Sequence, residues 1–362
     1  MHIICLGTAS CYPTSTRSVS CTAVRFEDGN VWLFDCGEGS QVQLQKSPVR
    51  PSRISKVFIT HMHGDHAFGL PGLMCTVGNM VPDREDFTLE IYGPQGLRRF
   101  IRETLILSRS ALTYDYVVHE LIPIEEQYPE DWNDWPEVIE ATGSLHPQEK
   151  PGRTITADSD FTWNVLDNQK VSVKAGPVKH SIPSFGFVVA EQDLPGKLDV
   201  QRLRQLEVPP GPMYALIKKG EAVTLPSGEV LDPSEVLGPP KRGRKITVLG
   251  DTCDSSKMEG IAKCSDVVLH EATLDNSMEE KAEDLGHSTP RMAARFAEKT
   301  NSTLLMLYHF SQRYKATPVD KGDVSVEILL KEAEEELSSS GCSCKVRLAE
   351  DLMEFAVPRP SN

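Results

Sequence analysis

Short apolar runs rich in β-branched residues recur along the chain, separated by polar and amphipathic stretches. The runs HIICLG (2–7), VWLFDCG (31–37), KVFITH (56–61), LEIYG (89–93), KVSVKAG (170–176), FGFVVAE (185–191), KITVLGD (245–251), VVLHEAT (267–273) and LLMLYHF (304–310) have the length and composition of strands. PQGLRRFIRETLILS (94–108), opened by Pro94, predicts a helix, as does STPRMAARFAEKT (288–300), where a Ser/Thr start precedes Pro290. A third helix is expected over VSVEILLKEAEEELSS (324–339), its charge run being a solvated face. The pattern is that of one α+β domain over 1–362, with no internal repeat and no linker between independent domains.

Two segments stand apart. Residues 122–167 are acidic, Pro- and Trp-bearing and poorly periodic, and are expected to be a surface excursion. Residues 193–244 mix basic residues, a short helix and a rigid Pro/Gly loop too poor in apolar residues for core, and are expected to form an inserted flexible arm.

Composition adds limits. At 362 residues, 39% hydrophobic and 25% charged, the chain can bury a sizeable core, and no apolar run is long enough to cross a bilayer, so no membrane partner is expected. The start MHIICLGTAS has neither secretory nor transit character, and nine scattered cysteines form no disulfide framework, so the cytosol, or also the nucleus, is the expected compartment. The CSC at 342–344 lacks further soft ligands and is taken as a loop feature. A net charge of −14 excludes coating of nucleic acid by bulk electrostatics, though not by local basic patches.

The chemistry concentrates in ITHMHGDHAFGL (59–70), which places His61, His63, Asp65 and His66 directly after an apolar run. Imidazoles and a carboxylate suit zinc, and the absence of cysteine from the cluster argues against a closed structural site. Three other strand ends offer ligands of the same type: His180, Asp251 and His309.

THMHGDH, followed by a further His, a GDT Asp and a last His, resembles the metallo-β-lactamase superfamily. The resemblance implies a four-layer αβ/βα sandwich holding two zinc ions per subunit. His61, His63 and His180 would bind one, Asp65, His66 and His309 the other, with Asp251 between them. Two such ions activate water for hydrolysis. HEATLD (270–275), GHSTP (286–290) and FITHMHGDHAFGLPGLMCT (58–76) are similar to signatures of tRNase Z, the tRNA 3′-processing endoribonucleases, and PPGPMYALIKKG (209–220) resembles the tRNA-gripping arm motif of that family. The likeness runs from CLGTASCYPTSTR to LAEDLMEFAVP and matches the short form, which implies removal of 3′ trailers from tRNA precursors and a homodimer.

On that resemblance His287 is placed as general acid with Glu271 orienting it, and Asp65, a zinc ligand, serves as general base. The expected tRNA contacts are Lys197, Arg202, Arg204, Lys218 and Lys219 in the arm, with Lys241, Arg242, Arg244 and Lys245 at its base and Arg17 and Arg313 elsewhere. Asp35 is expected to orient a ligand histidine. Structural or surface roles are expected for His2, His119, His146 and His270. PTSTRS departs from the family's PxKxRN-type loop, keeping Pro13 and Arg17 but lacking the lysine and asparagine, which leaves the cleavage position and tolerance of a CCA tail open. The rival readings are a thioester or lactone hydrolase of the same fold, which would not require an arm, and a tRNA-binding protein without catalysis.

Overall fold

The computed structural model describes residues 1–80, 87–129, 143–225, 227–318 and 322–360. Among them the strands form two large sheets, of nine and seven strands. The first runs Glu354–Ala356, His2–Gly7, Cys21–Arg25, Val31–Phe34, Ile54–Phe58, Thr88–Pro94, Asp115–Leu121 and Glu149–Lys150, with Thr154–Ile155 also paired to Asp115–Leu121. The second runs Lys345–Leu348, Leu304–Tyr308, Val267–Glu271, Lys245–Leu249, Ser184–Glu191, Val171–Val178 and Trp163–Asp167. Each sheet is antiparallel in one half and parallel in the other, and the parallel connections carry helices on the outer faces.

The inner faces meet in an aromatic core. Phe34 stacks on Phe58, Phe58 on Tyr92, and Phe187 of the other sheet packs against both phenylalanines. Helices Ser40–Lys46, Leu70–Met80 and Leu97–Leu107 bury the outside of the first sheet, and Pro290–Lys299 and Glu327–Ser340 that of the second. This is the expected four-layer sandwich.

Three expectations are corrected. Pro94 ends a strand, and the helix begins at Leu97 after Gly96 at φ 101; the Glu120 carboxylate accepts from the amides of Gly96 and Arg98 and so caps it from the neighbouring strand. Residues 122–167 are more than a surface excursion. Residues 130–142 lie outside the described ones, but Trp163–Asp167 completes the second sheet, with Trp163 fully buried, edge-on to Phe185 and donating to the Ile122 carbonyl. The arm, finally, has a core of its own. Leu203, Val208, Ile217, Val223, Leu225, Leu231 and Val236 cluster beneath helices Val200–Gln205 and Pro212–Lys218. The apolar positions are too widely spaced in sequence to register as a core until the helices fold them together.

Candidate metal centre

The parallel strands deliver their ligands to one end of the sandwich. His61 lies just beyond Ile54–Phe58, Asp251 beyond Lys245–Leu249 and His309 beyond Leu304–Tyr308, while His180 sits in the turn joining Val171–Val178 to Ser184–Glu191. His63 introduces a one-turn helix, Gly64–Ala67, that carries Asp65 and His66. The ligand atoms of His61, His63 and His180 lie within 4.8 Å of one another, and so do those of Asp65, His66, Asp251 and His309. The seven candidate ligands expected from the sequence are therefore brought together, Asp251 lying with Asp65, His66 and His309 and also with Glu271, His287 and His309.

Hydrogen bonds fix which ring nitrogen each histidine offers. His66 Nδ1 donates to Asp35 Oδ2 at 2.8 Å, the orienting contact expected of Asp35. Thr60 Oγ1 gives its proton to Asp35 and accepts from His61 Nδ1 at 3.0 Å. Thr273 Oγ1 donates to Glu271 and accepts from His309 Nδ1 at 2.9 Å, and His180 Nδ1 donates to the Gly286 carbonyl at 2.7 Å. Four Nε2 lone pairs are thereby left facing inward. His66 Nε2 lies 3.3 Å from His309 Nε2 and 3.3 Å from Asp251 Oδ1, and His180 Nε2 lies 3.1 Å from His63 Nδ1. Among the described residues the buried His61 Nε2 and Asp251 Oδ1 have no hydrogen-bond partner. Buried polar atoms are rarely left so, and two nests of inward lone pairs and carboxylates fit cations.

Sequence reasoning missed Thr60, Thr273 and Gly286, since a hydroxyl or a carbonyl carries no pattern. Gly286 has φ 76, and a Cβ there would fall 2.7 Å from His180 Nδ1, so only glycine admits the ligand this close.

Burial pushes His61 well below the ordinary histidine range, His63 down to about 4 and His180 down as well, and so favours the neutral form that binds metal. His66 is buried too, but Asp251, Asp35 and Asp65 outweigh that and raise it. Burial alone would raise Asp251 and Asp65; His309 and His66 hold the first well below the carboxylate range, and His66 and His309 lower the second.

Beside the ligands, Glu271 is fully buried, and its Oε1 accepts from the Thr252 amide and from His287 Nδ1, at 3.1 Å. Burial works against the His287 imidazolium, yet the Glu271 charge raises it to about 9. His287, Asp65, His63, His180 and Asp251 line a cleft of about 470 Å³ whose rim carries Tyr12, Phe68 and Leu285. His270 is buried in its strand, as expected.

Two predicted RNA contacts are corrected. Arg17 is buried, donates to Thr8 Oγ1 and the Ala349 carbonyl and lies over Phe310; Arg244 is buried between Glu191 and Glu27. Both guanidiniums are committed to the protein. At the arm's base Arg242 pairs with Asp266, and Lys245 donates to the Lys263 carbonyl. Lys197, Arg202, Arg204, Lys218, Lys219, Lys241 and Arg313 are exposed.

Asp35→Asn keeps the shape but removes the charge behind His66. Zinc affinity is expected to fall about 10- to 100-fold, read by competition with a chromogenic chelator. Unchanged affinity would mean that His66 is oriented without it.

A model of the metallo-β-lactamase superfamily matches residues 14–81. The chain is 45% identical over 368 residues to zinc phosphodiesterase ELAC protein 1 of Homo sapiens, covering 99% of each chain, and 35% identical over 361 residues to ribonuclease Z of Bacillus subtilis, covering 99% of this chain and all of that one. It also superposes on the crystal structure of human tRNase Z, short form, with a TM-score of 0.68 and 35% identity, covering 99% of this chain and 100% of that one.

Proposed function

The chain belongs to the ribonuclease Z family of the metallo-β-lactamase superfamily, and from that premise we propose how its residues carry out tRNA 3′-end processing. It is a zinc-dependent endoribonuclease that hydrolyses the phosphodiester between a tRNA and its 3′ trailer, leaving a 3′-hydroxyl on the tRNA and a 5′-phosphate on the trailer. The observation that carries this reading is the convergence of seven ligands and the His287–Glu271 pair on one cleft.

Two zinc ions per subunit would fit the two groups, one held by His61, His63 and His180 and the other by Asp65, His66 and His309, with Asp251 between them, 3.8 Å from His61 Nε2 and 3.3 Å from His66 Nε2. Zinc supplies, when bound, Lewis-acid stabilisation of the phosphate and a more acidic water. Asp65 is ionised and anchored by the Cys11 amide at 2.7 Å, ready to accept the water proton. His287 has Nδ1 engaged by Glu271, so its Nε2 proton is the one given to the departing 3′-oxygen.

The arm supports a homodimer. It leaves the sandwich at Glu191 and returns at Lys245, at the opposite end of an antiparallel strand pair from Asp251 and His180. An arm so placed serves a tRNA whose 3′ end enters a partner's cleft. A small thioester or lactone would need neither the arm nor its exposed cations. Among the described residues no helix is long and apolar enough to cross a membrane, and we place the enzyme in the cytosol, or also the nucleus.

The direct test is cleavage of a 3′-extended tRNA transcript by zinc-loaded protein, with both product ends mapped. A 3′-hydroxyl tRNA and a 5′-phosphorylated trailer are expected. Hydrolysis of thioesters alone would favour the small-molecule enzyme, and tight tRNA binding without hydrolysis the binding protein.

The arm can be tested separately. Leu194 and Lys241 exchange backbone hydrogen bonds of 2.9 Å, so residues 195–240 can be replaced by a short turn without moving the sheet. tRNA affinity is expected to drop at least about tenfold, and that of the intact protein to fall with salt, while hydrolysis of a small nitrophenyl phosphodiester persists. Unaltered tRNA affinity would remove the arm from substrate binding.

A further inference from the structure

The cleft's two lips differ. On one, Leu285 is 52% exposed and lies two residues before His287; on the other, Phe68 is 65% exposed and lies three residues after Asp65. Single exposed hydrophobic side chains are common, but the position of this ring beside the cleft is defined by its neighbours. A Cβ on Gly64 would fall 2.6 Å from two ring atoms of Phe68, so the ring rests against this glycine and would have to shift to admit a larger residue. Phe100 stacks alongside, 6.1 Å between centroids and 29° between planes. Gly64 and Phe100 hold the ring at the rim instead of letting it fold away.

We propose that Phe68 is a stacking platform for the first nucleobase of the trailer. The inference rests on the reading above of the enzyme as a trailer endonuclease. His287 protonates the 3′-oxygen that stays with the tRNA, so the last tRNA nucleoside lies toward the Leu285–His287 lip. The chain continues past the scissile phosphate to the opposite lip, where Phe68 is the more exposed of two aromatic side chains lining the cleft, the other being Tyr12. Trailers differ in sequence, and stacking accepts every base because each has a π face. The platform therefore recognises that a base is present, and not which base.

The experiment compares wild type, Phe68→Ala, Phe68→Leu and Phe68→Trp, all checked for zinc content, on three 3′-extended tRNAs: unmodified, abasic at the first trailer position, and abasic at the last tRNA position. Phe68→Ala is expected to lower kcat/KM on the unmodified substrate roughly 5- to 150-fold, chiefly through KM, and Phe68→Trp to restore it. With the first trailer base missing, wild type and Phe68→Ala should cleave alike. An equal loss on that substrate overturns the proposal, as does full activity in Phe68→Leu, which would mean simple apolar filling. Equalisation only on the substrate abasic at the last tRNA position would move the platform to the other side of the bond and overturn it as stated. If wild type cleaves none of the three, the trailer-endonuclease reading itself fails; if it cleaves and Phe68 has no effect, only the platform does.

Discussion

Asp65→Ala is expected to abolish trailer release, lowering the single-turnover rate by roughly 10³-fold or more. The carboxylate sits where two tasks meet. Its Oδ2 lies 3.4 Å from His309 Nε2 and 3.6 Å from His66 Nε2, so it closes one metal group, and the Cys11 amide fixes its orientation. Asp65→Asn separates charge from shape. The amide oxygen still accepts from Cys11, so the loop and fold should persist by circular dichroism while cleavage stays lost. Zinc content then tells the roles apart. One equivalent lost would show Asp65 acting mainly as a ligand, whereas full zinc with no turnover would show the proton acceptor. An asparagine variant with near wild-type turnover would remove Asp65 from both roles.

The candidate ligands were legible in sequence because they follow strands. His61, Asp251 and His309 each stand within three residues of the end of a parallel strand, and parallel strands bring their ends to one side of a sheet. Asp35 was legible by the same logic from the first sheet, although its left-handed φ of 59, which helps aim it at His66, was not. What escaped was the fate of charges whose partners lie far away in sequence. Arg244 reads as part of the basic KRGRK, yet Glu191, 53 residues earlier, and Glu27, near the start of the chain, take it out of play. Arg17 reads in sequence as a phosphate contact, yet Thr8 and Ala349 draw it inward. The strand Trp163–Asp167 was hidden for another reason: alternating burial over five residues is too short to stand out from an acidic stretch.

The His287–Glu271 pair makes the second large prediction, and its sign is fixed by its role. A general acid must be protonated, so the rate should hold below the His287 pKa of about 9 and fall about tenfold per pH unit above it. Burial alone would push the imidazole the other way, so the high value depends on the buried Glu271 charge. Glu271→Gln should therefore move the alkaline limb of kcat/KM to lower pH while leaving a hydrogen-bond acceptor for Nδ1. His287→Ala should cost about 10²- to 10⁴-fold on a 3′-extended tRNA and abolish that limb. On a nitrophenyl phosphodiester, whose leaving group departs without a proton, the same variant should stay close to wild type. An equal loss on both substrates would mean that His287 supports the neighbouring ligand His180, whose Nδ1 binds the Gly286 carbonyl one residue away, and that the proton reaches the 3′-oxygen from elsewhere.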